Sequence, residues 1–153
     1  YQEVCQRVLA RFGPSQQLAD VNRAAWLCVL APDAALDHAE LTKLAARLAS
    51  DPSKNAAYCN TRGALLYRAG LYREAVACLR ESVELRDRTG DVDDWLFLAM
   101  AQHRLGNAAE ARRWLDKATK APPQKTGDRL LPWYRQLGGQ FLSEEAGRLL
   151  KVR

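Results

Sequence analysis

Cys59-Asn-Thr-Arg62-Gly63-Ala-Leu-Leu66-Tyr-Arg-Ala-Gly70 and Trp95-Leu-Phe-Leu98-Ala99-Met-Ala-Gln102-His-Arg-Leu-Gly106 lie one fixed step of 36 residues apart. The same step carries Ala75, Leu79 and Ser82 onto Ala111, Leu115 and Ala118. A period of that length marks an array of helix pairs, in which each unit buries its apolar face only against its neighbours. Small residues at Gly63 and Ala99, and again at Ala75 and Ala111, are expected where the two antiparallel helices of one unit touch. Larger apolar side chains fill the space between those contacts. The polar run Arg86–Asp94 reads as the connection between units.

Composition agrees with a helical array. The 153 residues are 48% hydrophobic and 27% charged, as in an ordinary globular domain, and they contain no isoleucine. Alanine and leucine dominate, so local propensity favours helix over strand. The expected fold class is all-α, one domain of stacked antiparallel helix pairs in a right-handed solenoid.

Outside the repeat the chain reads as further helices. Val4, Val8, Leu9 and Phe12 have helical spacing, and Gly13-Pro14 stops that run. Residues 1–14 are therefore expected to form the second helix of a truncated unit. The opening on Tyr1 suggests a piece cut from a longer polypeptide. Residues 18–52 read as a degenerate unit with helices over Leu18–Leu30 and Asp37–Ala49, in which Trp26 takes the place of the repeat's tryptophan. The clear units cover 56–88 and 91–123, with helices at Ala56–Arg68, Tyr72–Arg86, Val92–Arg104 and Ala108–Lys120. Ala121-Pro-Pro-Gln-Lys-Thr-Gly reads as a loop. Residues 130–152 form a capping helix over the last unit, weakened in its middle by Gly138-Gly139.

The repeats resemble the tetratricopeptide repeat, whose signature is W-x2-L-G-x2-Y…A-x3-F…P over 34 residues. Cys59 replaces the tryptophan in the first copy, and Ala99 and Gln102 replace the glycine and tyrosine in the second. The chain as a whole resembles tetratricopeptide regions of large multidomain bacterial proteins, often found near kinase or WD40 modules. Ala25-Trp-Leu-Cys-Val-Leu-Ala-Pro, Arg62-Gly-Ala-Leu-Leu-Tyr-Arg-Ala-Gly and Glu110-Ala-Arg-Arg-Trp-Leu-Asp-Lys-Ala carry that likeness. It implies a cytoplasmic, non-catalytic scaffold for protein–protein interaction that binds a peptide segment in a concave groove. The alternative is a regulatory or structural portion of a larger signalling enzyme, for example one linked to a kinase, whose catalytic domain lies elsewhere.

The resemblance places the first helix of each unit on the groove. Counted from Gly63 and Ala99, the groove-facing set is Asn60, Ala64, Tyr67 and Arg68, then Leu96, Met100, His103 and Arg104. Asn60 can hydrogen-bond a peptide backbone, and Arg68 with Arg104 can fork onto a carboxylate. The competing reading is that both arginines, each at a helix C-terminus, only offset the helix dipole.

The net charge of +5 permits an acidic protein or peptide partner. Nucleic acid is not expected, because basic and aromatic residues are not interleaved. No apolar run approaches the roughly 20 residues of a membrane span. Cys5, Cys28, Cys59 and Cys78 are too widely spaced for a metal motif and read as four reduced, buried thiols. No cofactor, metal or catalytic residue is expected. His103 has no nucleophile near it in sequence, and His38 reads as part of a solvated first turn.

Overall fold

The computed structural model describes residues 1–30, 32, 36–87, 90–122, 125–126, 129–130 and 133–151. Among these, the chain forms α1 (Gln2–Phe12), α2 (Leu18–Val29), α3 (His38–Ala49), α4 (Ala56–Arg68), α5 (Tyr72–Leu85), α6 (Val92–Arg104), α7 (Ala108–Thr119) and α8 (Trp133–Leu150). The fold is all-α, with consecutive helices packed in sequence.

The recurring glycines are explained by how α4 and α6 end. Gly70 has φ of 80° and Gly106 of 81°, the left-handed region that a side chain disfavours. That turn lets Leu71 N–H reach back to Leu66 O at 2.9 Å and Asn107 N–H to Gln102 O at 2.9 Å. Both ends are thus Schellman closures, which satisfy carbonyls the helix leaves bare and aim the chain into the returning helix. Helix starts are equally local. Asn55 Oδ1 accepts from Ala57 N–H at 2.9 Å, Asp37 and Glu40 form a capping box on α3, and Asp91 N–H donates to Asp94 Oδ2 at 2.9 Å on α6.

Hairpins α4/α5 and α6/α7 each pack face to face, α3 packs on α4, and α5 on α6. Inside the first hairpin, Gly63 lies so close to α5 that an added Cβ would stand 2.5 Å from Leu79 Cγ and 3.3 Å from Ala75 O. The small residue there is a packing requirement. Leu65, Leu79, Leu96, Phe97, Leu98 and Met100 are fully buried in one continuous core that runs from Val21 to Ala146. Units are also tied by a buried polar contact, Asn60 Nδ2 donating to Asp94 Oδ1 at 2.6 Å. Burial pushes the Asp94 carboxyl above the usual carboxylate range.

Several expectations need correction. The segment read as a loop, Ala121–Gly127, contains a short strand, β1 (Lys125–Thr126), which pairs antiparallel with β2 (Arg129–Leu130) just beyond it, Lys125 opposite Leu130. Two-residue strands are too short to leave an alternating pattern in the sequence. α8 runs unbroken through Gly138-Gly139, since packing on α6 supplies what propensity lacks. Trp26 does not behave like Trp95. Its ring meets Phe97 of α6 edge-on at 6.2 Å, whereas Trp95 lies beneath Lys117 Nζ of α7 at 4.5 Å. The expected boundaries at 88, 123, 131–132 and 152 lie outside the described residues.

Cys5, Cys28 and Cys78 are buried, Cys59 is half-buried, and all four are unpaired. Burial raises the Cys28 thiol well above its ordinary value, reinforced by its contact with Cys5, and raises Cys59 to about 11.

Candidate protein-interaction face

Because α2 packs on α4 and α4 on α6, these three helices form one continuous face, and each was expected to line a groove. That face is already partly occupied. α8 packs on α6 and reaches across to the C-terminal ends of the other two helices through two of its residues. At one end of the crossing, Gly138 meets Leu30, the residue that closes α2, and an added Cβ would stand 3.1 Å from Leu30 Cδ2. Farther along, Glu145 reaches Arg68, the last residue of α4.

The Arg68–Glu145 contact is a two-pronged ion pair. Arg68 Nη1 donates to Glu145 Oε1 at 2.5 Å and Nη2 to Oε2 at 2.7 Å. The two side chains are only 7% and 14% exposed, so the pair is largely removed from water. Arg68 Nε donates to Val29 O at 2.9 Å, a carbonyl in the last turn of α2. Its guanidinium also lies over the rings of Tyr67 at 5.4 Å and Phe97 at 5.5 Å. Backbone and aromatic rings therefore hold the guanidinium independently of the carboxylate. Arg68 thus donates to a C-terminal carbonyl of a neighbouring helix, α2, and to a carboxylate of the chain's own α8.

Arg104 stands beside this pair. The neighbouring Tyr67 hydroxyl raises the arginine above its ordinary value, and the Glu145 charge acts in the same direction. Burial pushes the Tyr67 phenol up. His103 and Arg104 are exposed. Leu96 and Met100 are fully buried, and so is Ala64. Asn60 is buried and its amide is committed to Asp94, which leaves it as a tie between units. The structure thus places Arg68 on the Glu145 carboxylate with Tyr67 beneath the guanidinium, and Leu96 and Met100 inside the core that Leu142 and Ala146 of α8 complete.

Glu145 was not singled out from sequence, although a signal for it exists. Leu142, Ala146 and Leu149 have helical spacing, and Glu145 falls within that apolar stripe, where a charge calls for a buried partner. Between α2 and α4 the same face also holds an open hollow of about 470 Å³, walled by Asn22, Trp26, Leu27, Thr61 and Arg86. Asn22 Oδ1 is buried there without a hydrogen-bond partner among the described residues. Arg86 is engaged by Asp91 at 3.0 Å.

The described residues contain no helix long and apolar enough to cross a membrane. No curated protein and no solved structure matches the chain. Residues 56–89 and 95–125 each match the family model of the tetratricopeptide repeat, so the stretch built on the 36-residue step consists of tetratricopeptide repeats.

Proposed function

We propose that this domain is a non-catalytic interaction scaffold that binds an acidic peptide segment of a protein partner on the face lined by α2, α4 and α6. The repeats imply protein partners in general. The observation that carries the finer reading is the Glu145 carboxylate seated in the Arg68 fork beside Arg104. A face that holds an acidic side chain in this geometry has the donors, the positive charge and the low water content to hold another. Arg104 and His103 are the exposed members of the set and the ones placed to meet a ligand, while Tyr67, Leu96 and Met100 lie buried beneath them.

Charge reversal at Arg104 tests this reading. Arg104→Glu should weaken the complex with a captured protein partner by about 1.5–3 kcal/mol, the range for hydrogen bonds to charged groups, with helicity and melting unchanged. Retained affinity with lost stability would instead mean that the arginine serves the fold alone.

A further inference from the structure

We propose that the seat of α8 is exchangeable. It accepts from a partner protein an amphipathic helix with a carboxylate three residues after a leucine, and α8 is the resident competitor for that seat. This rests on the function proposed above and names the partner's chemistry.

The pattern is read from α8 itself. Leu142 and Ala146 are fully buried and Glu145 holds Arg68, so the seated face is leucine, then glutamate three residues on, then a small residue. The outward side presents Phe141, 54% exposed. The arginine of the seat is held by groups outside α8, since Val29 O and the rings of Tyr67 and Phe97 position its guanidinium. Removing α8 leaves the arginine without its acid, and a helix that covers it without supplying a carboxylate would bury an unpaired charge. The geometry therefore selects an acidic helix over a merely apolar one.

The glycines of α8 bear on its release. Gly138 has a packing reason, the approach of Leu30. Gly139 and Gly147 have none, since an added Cβ on either meets nothing within 4 Å. Alanine would fit both half-buried sites, and each exchange in a helix interior favours helix by roughly four- to fivefold. α8 is consequently a weaker occupant than its seat allows, and a better helix with the same face can displace it.

The test uses the whole chain and a labelled synthetic peptide of residues 138–151 carrying Gly139→Ala and Gly147→Ala. Fluorescence anisotropy should show saturable binding to the unaltered chain. Binding to a chain that itself carries Gly139→Ala and Gly147→Ala should be about 20-fold weaker, because apparent affinity falls with the fraction of open seats. A peptide that also carries Glu145→Gln should bind at least about tenfold more weakly to the unaltered chain. Equal affinity for the two chains, with the double-alanine chain melting higher, would overturn the exchange. So would absence of peptide binding to a chain whose own α8 is loosened by Glu145→Gln. The function proposed above fails separately, if Arg104→Glu leaves the captured partner's affinity unchanged.

Discussion

Replacing Gly63 by alanine isolates the contact on which the helix pairing of the first repeat depends. The new Cβ would stand 2.5 Å from Leu79 Cγ and 2.8 Å from Leu79 Cδ2, whereas carbon atoms pack at about 3.5–4.0 Å. Leu79 is fully buried, and its Cγ is close to the backbone, so it cannot give by an ångström without moving α5. The third neighbour, Ala75 O at 3.3 Å, belongs to the backbone of α5 itself. Overpacking of this kind costs about 1–3 kcal/mol, against which alanine recovers roughly 0.5–1 kcal/mol of helix propensity. The net loss is therefore about 0.5–2 kcal/mol, a fall in melting temperature of roughly 1–8 °C for a domain of this size. Gly63→Leu adds three more carbons at the same place and should lie at the upper end or beyond. Thermal melting by circular dichroism measures both, with Gly139→Ala, which meets nothing within 4 Å, as the matched control expected to rise. If Gly63→Ala melts at or above the parent while the control behaves as stated, the close α4–α5 approach is not what fixes the glycine.

Asp94 gives a pH signature. Its folded pKa is raised by burial, so its contribution is fully present below the unfolded value and is lost as pH rises through the raised folded value. The difference in unfolding free energy between the parent and Asp94→Asn should therefore shift in the parent's favour as pH falls from neutrality; a difference flat with pH would refute it. Glu145→Ala leaves the guanidinium of Arg68 buried without its acid, a loss of about 3–5 kcal/mol while α8 stays seated. Limited proteolysis should then cut within α8 while α4 to α7 resist, and an unchanged digestion pattern would count against this. The thiols should alkylate in the order of their access, Cys59 before Cys78 and both before Cys5 and Cys28, with four equivalents reacting after denaturation. Early labelling of Cys28 would contradict its burial.

Local chemistry was well written in the sequence. Gly70 and Gly106 announced the two Schellman ends because only a left-handed residue can make them, and the apolar stripes placed the helices close to their observed bounds. Arg68 and Arg104 were legible as a pair because one repeat step relates them. The partner of Arg68 was not, since Glu145 lies 77 residues away, beyond the periodic part of the chain. The contacts of Trp26 were not legible either, since its ring meets Phe97 of α6, two units along the array. The paired strands β1 and β2 were hidden by their length alone.

The crossing of α8 also changes how the array comes apart. Repeat arrays built from neighbour contacts unfold piecemeal, each pair fraying against the next. A helix that touches Leu30 through Gly138 and Arg68 through Glu145 closes the array on itself, so its two ends cannot loosen independently while α8 is seated. Amides of α2 should then exchange with solvent at rates that follow the opening of α8. Occupancy of that one seat thus governs whether the domain unfolds as a single cooperative body or as a row of separate hairpins.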